Sequence, residues 1–254
     1  SATMLARKFW PGPLTLVLPR KKVVPDIVTG GGETVAVRAP AHPVAQALLK
    51  AARVPIAAPS ANLSSRVSPT RAEHVLRDLN GRIDMLLDGG PCPGGIESTV
   101  LDLSVSPPRL LRPGSITARQ IEVVIGPLAQ GKTEARAARG AALRSPGMLE
   151  RHYAPRVPLE LADDDGRRRV KALLKQGVRV GWIVRAQPQA RPARRKPITF
   201  ALPAGPRGFA AQLYATLHRL DDSDVERIIV ARLPDSTAWD AVRDRLKRAA
   251  VKYK

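Results

Sequence analysis

Apolar and polar positions along the first half of this chain change period every ten residues or so, between the spacing of short strands and that of short helices. Residues 3–9 suit the end of a helix, closed by Trp10-Pro11-Gly12-Pro13, because Pro and Gly together stop a helix and force a turn. Leu14–Leu18 then reads as an apolar strand, followed by basic Arg20-Lys21-Lys22. Asp26 to Glu33, with three consecutive glycines, reads as a loop. Thr34–Arg38 reads as a strand with Val35 and Val37 on one face. Pro43–Ala52 has helical spacing and starts at His42-Pro43. Val54–Ala58 is a strand of the buried type, ending at Pro59.

Ser68-Pro69-Thr70-Arg71-Ala72-Glu73 carries a helix-start signature. Either Ser68 caps with Pro69 in the first helical position, or Thr70 caps with Glu73 closing a capping box. That helix runs to about Leu79 and stops at Asn80-Gly81. Met85–Asp88 is a short predicted strand and Gly89–Gly95 a turn-rich loop. Ile96–Leu103 is a strand whose hairpin partner is Pro108–Arg112, and Thr117 starts a helix to about Ile125. From Val157 onward the pattern alternates: strand 158–161, helix 165–176, strand 178–184, a Pro/Arg-rich loop, strand 198–201, helix 208–220, strand 227–232 and helix 238–250. Such alternation predicts a small parallel αβα domain of Rossmann-like layering. It carries no Gly-x-Gly-x-x-Gly turn, so dinucleotide binding is not expected. The predicted division is a first domain over 1–126, a linker over 127–157 and a second domain over 158–254.

Composition changes this picture in three ways. A formal net charge of +20, from 42 Lys+Arg against 22 Asp+Glu, points to an anionic partner such as nucleotide, phosphate or RNA. Much of the excess lies in Arg clusters at 135–144 and 191–196, where basic linkers are the plainer explanation. RNA binders usually interleave aromatic residues with basic ones, and aromatics make up only 4% of this chain. One cysteine, Cys92, leaves no internal disulfide framework and no cysteine-based zinc site, and the cytoplasm is the expected compartment. No apolar run is long enough for a membrane helix.

The four histidines, His42, His74, His152 and His218, stand at no metal-ligand spacing, and neither a Gly-x-Ser-x-Gly elbow nor a Walker loop occurs. Without a protein nucleophile, chemistry would rest on positioning and charge stabilisation between bound substrates. The candidate parts are Arg38 at a strand end, Ser60 and Asn62 around small Ala61, and Ser68 and Thr70 at a helix start. Ser98 after the Gly-rich loop and Arg112 before Pro113-Gly114 complete them. Each alone is better explained by a solvated ion pair, a polar turn or a helix cap.

As an ordered set they resemble a family. Lys8-Phe-Trp-Pro-Gly-Pro-Leu-Thr15, Val37-Arg-Ala-Pro-Ala-His-Pro43, Ala58-Pro-Ser-Ala-Asn62, Ser68-Pro-Thr70, Asp88-Gly-Gly-Pro91, Glu97-Ser-Thr-Val100 and Leu111-Arg-Pro-Gly114 are similar to successive motifs of YrdC-type L-threonylcarbamoyladenylate synthases. Ser145-Pro-Gly-Met148 and Arg151-His-Tyr-Ala-Pro155 resemble the linker of the long, two-domain form. The resemblance implies a twisted mixed sheet with helices in the first domain. It also implies that L-threonine and bicarbonate form a carbamate that attacks the α-phosphate of ATP, releasing pyrophosphate. Mg²⁺ would accompany ATP, and a partner transferase complex would pass the threonylcarbamoyl group to tRNA.

Carried over by motif, Arg38, Ala58 and Ser98 would contact threonine. Thr34, Ser60, Ser68, Arg112 and Tyr153 would contact the nucleotide, with Asn62 supporting the Ser60 loop and Tyr153 closing over the site. The family also places a Lys-x-Arg-Pro motif ahead of the segment with which this chain starts. The expectation is therefore a numbered chain that begins inside the first domain and is catalytically poor by itself. Two alternatives are a non-catalytic RNA- or tRNA-binding protein of the same fold and a carbamoyl-transferase accessory domain.

Overall fold

The computed structural model describes residues 1–129, 152–186 and 196–251 of the chain. The Arg clusters at 135–144 and 191–195, and the Ser145–Arg151 part of the linker, lie outside the described residues. The chain forms two compact units, one of residues 1–59 and 97–148, the other of residues 60–96 and 149–254.

The first unit is built on a four-stranded mixed sheet of β1 (Leu14–Pro19), β2 (Thr34–Val37), β3 (Thr99–Asp102) and β4 (Arg109–Arg112), in the order β2-β1-β3-β4. β1 runs antiparallel to β2 and parallel to β3, and β3–β4 is the predicted antiparallel hairpin. The period-2 pattern divides its faces. Leu14, Leu16 and Leu101 pack with Leu5 of α1 (Ala2–Phe9) and Ile121 of α5 (Ala118–Ile125), while Val17, Val100 and Leu111 cluster separately. α5 opens with a complete capping box between Thr117 and Gln120. The predicted loop 26–33 contains a short helix α2 (Asp26–Thr29), ended by Gly30 in the left-handed region.

Two predicted strands do not form. Val54–Ala58, after helix α3 (Pro43–Ala52), and Met85–Asp88 are irregular and pair with no strand among the described residues, with Val54, Ile56, Met85 and Leu87 all exposed. A strand requires a neighbour for its backbone groups, and apolar composition alone does not supply one.

The second unit centres on a parallel sheet in the order β5-β8-β6-β7, formed by β5 (Leu159–Leu161), β6 (Val180–Arg185), β7 (Ile198–Leu202) and β8 (Arg227–Val230). Val180, Trp182, Val184 and Ile229 point to α6 (Arg167–Lys175), whereas Ile183, Ile228 and Val230 join α7 (Pro206–Asp221) and α8 (Asp240–Ala249). Burial of strands on both faces explains their near-continuous apolar reading. This is the predicted αβα layering.

The same core accepts residues from far earlier in the chain. Val67 is buried in it and Ile96 packs against it. Gly95 lies so close to α7 that a Cβ there would stand 2.3 Å from the Ala210 carbonyl oxygen and 2.5 Å from the Ala211 Cα, at a φ of +69°. Both the left-handed backbone and the contact demand glycine. Gly95→Ala is expected to cost about 2–4 kcal/mol, read as a lower urea midpoint by tryptophan fluorescence. Gly94→Ala, whose Cβ would meet only the Ile96 oxygen at 3.9 Å, should leave that midpoint nearly unchanged.

Candidate functional site

The polar centre of the first unit is Ser98-Thr99, at the start of β3. Ser98 Oγ lies 2.7 Å from Thr15 Oγ1 of β1. Arg112, at the end of β4, donates from Nε to the Ser98 carbonyl at 3.0 Å and from Nη2 to Ser98 Oγ at 3.2 Å. Thr99 is fully buried; its hydroxyl donates to the Ile116 carbonyl at 2.7 Å and accepts the Ile116 N–H at 3.1 Å. Gly114 makes this closure possible, since a Cβ there would fall 2.3 Å from the Thr99 nitrogen.

Arg38 follows β2. The residue is exposed, yet desolvation of its guanidinium and then the like charge of Arg112 lower its pKa, and no carboxylate pairs with it among the described residues. Two guanidiniums whose like charges meet favour an anion between or beside them. Thr34, half-buried at the start of β2, and Ala58, exposed in the irregular segment after α3, belong to the same unit.

Ser60, Asn62, Ser68 and Tyr153 belong to the second unit. Asn62 pins its own loop: Nδ2 donates to the carbonyls of Leu63 at 2.8 Å and Arg66 at 3.2 Å, and its N–H is received by the Ser60 carbonyl. Asp78 accepts the Leu63 N–H at 3.1 Å. Neither Ser68 nor Thr70 caps a helix, contrary to the prediction. α4 (Ala72–Leu79) starts two residues beyond Thr70, behind Arg71, and the Thr70 N–H that Glu73 would bond in a capping box is taken instead by His74 Nδ1 at 3.2 Å. Ser68 and Thr70 are both buried.

Tyr153 does not face solvent in this structure. Its backbone is left-handed (φ 60°) and its ring, 1% exposed, sits in the core of the second unit. The His152 ring meets it edge-on at 4.0 Å, and the buried Arg245 guanidinium lies 5.2 Å from its centroid.

Three participants escaped the sequence reading. Thr15 lay in a quoted motif without an assigned role. His74 and His218 stack with ring centroids 3.7 Å apart, and His218 Nε2 meets the Ser68 carbonyl at 3.1 Å. Nothing in the sequence relates two histidines so far apart. A cavity of about 240 Å³ at the carboxyl ends of β6 and β8, lined by Arg167, Trp182, Arg185 and Arg232 among others, includes none of the predicted site residues. Among the described residues, no group of three His, Cys, Asp or Glu side chains could hold a metal ion, and no helix is long and apolar enough to cross a membrane.

A mixed sheet with hydroxyl and guanidinium groups at its strand ends, in one chain with an all-parallel αβα layer, makes this a two-domain α/β protein. Residues 1–114 match the Sua5/YciO/YrdC family model, described as telomere recombination, and residues 116–251 match the C-terminal domain model of threonylcarbamoyl-AMP synthase. The chain belongs to the two-domain Sua5 family of threonylcarbamoyl-AMP synthases.

It is 40% identical over 261 residues to the threonylcarbamoyl-AMP synthase of Pyrococcus abyssi, covering 98% of this chain and 73% of that protein. To the Bacillus subtilis synthase it is 42% identical, covering 98% and 72%. The structure is similar to a crystal structure of P. abyssi Sua5 complexed with L-threonine, with a TM-score of 0.84 at 39% identity over 98% of this chain and 73% of that one. It is also similar to a variant of that protein carrying a His and a neighbouring Tyr both replaced by Ala (TM-score 0.82, 39% identity, 98% and 72% covered). His152-Tyr153 is the one adjacent His-Tyr pair in this chain.

Burial and then its stacked partner hold the His74 pKa down at about 4, with Arg77 adding to the shift and Glu73 and Asp222 opposing it. Burial and Arg77 lower that of His218, against its bond to Ser68 and the charges of Asp221 and Asp222. An unfolded histidine titrates near 6.5, so between about pH 6.5 and 4 the unfolded chain binds the extra protons. Stability is therefore complete above pH 6.5 and falls as pH drops toward 4, by on the order of 3 kcal/mol from His74. Urea titrations at pH 7.5 and 5 should show this fall in the wild type and a clearly smaller one in His74→Phe.

Proposed function

We propose that this chain makes threonylcarbamoyl-AMP and pyrophosphate from L-threonine, bicarbonate and ATP, for modification of tRNA by a partner transferase complex in the cytoplasm. The observation that carries this reading is the Arg38–Arg112–Ser98–Thr15 cluster. L-threonine offers a carboxylate for a guanidinium, a hydroxyl for the serine and threonine oxygens, and an amine on which the carbamate forms with loss of water. The fork of Arg38 suits a carboxylate held through two parallel bonds. Arg38, Ala58 and Ser98 are assigned to threonine. Arg112, Thr34, Ser60, Ser68 and Tyr153 are assigned to the nucleotide, with Asn62 holding the Ser60 loop.

The carbamate oxygen attacks the α-phosphorus, and the bond from that phosphorus to the β-phosphate bridge breaks to release pyrophosphate. No protein nucleophile takes part; the protein contributes orientation and positive charge. The described residues offer no acidic cage for a metal, so Mg²⁺ belongs to this reading only as the companion of ATP, neutralising its phosphates, and no step is routed through it.

Calorimetric titration with L-threonine is the direct test. Binding is expected, with Arg38→Ala weakening it at least tenfold and Thr15→Val by about threefold. Threonine affinity unmoved by Arg38→Ala would remove the assignment. Tight, strongly salt-dependent binding of tRNA with no affinity for threonine or ATP would replace it with the RNA-binding alternative.

A further inference from the structure

Residues 60–96 match the first family model in sequence but pack within the unit that contains most of the second. Besides Val67, Ile96 and Gly95, polar contacts tie them to α7 and the chain before β5. Arg77 pairs with Asp222 at 2.7 Å, and the Ala154 N–H bonds to the Ser65 carbonyl at 2.9 Å. At the middle of this contact stand the stacked rings of His74, from α4, and His218, from α7.

What separates the pair from ordinary core packing is where its nitrogens go. Both residues are buried, at 8% and 7% exposure. His218 Nε2 faces the Ser68 carbonyl, which can only accept, so this nitrogen carries the proton. His74 Nδ1 receives the Thr70 N–H, so this nitrogen carries the lone pair. Two rings thus grip opposite ends of one three-residue turn, Ser68-Pro69-Thr70. The Thr70 carbonyl is also engaged, by the Cys92 N–H at 2.9 Å. A Phe or Leu pair could fill the same space, but neither could hold the turn.

We propose that His74 and His218 are positioning residues of the nucleotide site, holding the Ser68–Thr70 turn in its binding geometry through a neutral stacked pair. This rests on the reading above that Ser68 contacts the nucleotide. His218, contributed by the carboxy-terminal family domain, then gives that domain a direct part in shaping a loop of the other. The device works only with both rings neutral. A proton on His74 Nδ1 would turn the acceptor of the Thr70 N–H into a second donor, and charge on both rings would repel across 3.7 Å. The charged groups facing the pair are Glu73 and Arg77 on α4, and Asp221 and Asp222 at the end of α7.

The test compares the full chain with His218→Phe, which keeps a ring and loses the donor, His218→Gln, which keeps a donor and loses the stack, and His74→Phe. Fluorescence midpoints first establish that each variant is folded. Hydrogen exchange without ligand then reads the segment 66–76, and calorimetry reads affinity for ATP with Mg²⁺ and for L-threonine. His218→Phe and His74→Phe should speed exchange in that segment by about fivefold or more. They should weaken ATP binding by about three- to tenfold while threonine binding stays within about twofold, and His218→Gln should recover much of the ATP loss. Unchanged exchange in both Phe variants overturns the anchoring. Faster exchange with undiminished ATP affinity overturns the positioning role. Failure of the functional reading looks different: the wild type itself would bind neither ATP nor threonine, the nucleotide role would fall with it, and the exchange comparison would still decide the anchoring.

Discussion

At Ser98-Thr99 the backbone of β3 begins, and four other residues are tied to it. The Thr99 N–H bonds to the Pro13 carbonyl at 3.0 Å, starting the parallel pairing with β1. The Thr99 hydroxyl closes a two-way bond with the Ile116 backbone, Thr15 reaches Ser98 from β1, and Arg112 reaches it from β4. Buried polar groups are costly unless bonded, and here each bond also joins two elements. The closeness of Gly114 shows how little room the closure leaves. These bonds fix where Ser98 and Arg112 stand at the strand ends of the first unit.

The charge arrangement follows from the same geometry. Pairing β1 with both β2 and β3 brings the end of β2, with Arg38, into the field of Arg112 on β4. A guanidinium stays protonated at any physiological pH, so Arg38 keeps its charge although desolvation first, and the like charge of Arg112 second, lower its pKa.

In the second unit the governing constraint is burial. A parallel sheet needs cover on both faces, supplied by α6 on one side and by α7 and α8 on the other. The core around α7 continues beyond those elements, taking in Val67 and Tyr153 and resting on Ile96. That continuity assigns residues 60–96 to this unit by contact although their motifs belong to the first family model. It also encloses the Tyr153 ring between Arg245 and Tyr214, at the point where the chain enters β5.

The sequence by itself determined most local structure and the family. Helices with capping residues and apolar spacing, the β3–β4 hairpin and the alternating carboxy-terminal half were all legible, because caps, turns and periodicity act within a few residues. The motifs around Arg38, Ser60, Ser98 and Arg112 pointed to the family because residue type and order survive without coordinates. Only the tertiary structure decided which apolar runs become strands. Val54–Ala58 and Met85–Asp88 have the composition but no backbone partner, and pairing is a property of two segments. It also placed the start of α4 past Thr70, where a histidine ring takes the N–H that a capping box would have used. And it brought His74 to His218 and Thr15 to Ser98, contacts between residues far apart in the chain that no local pattern encodes.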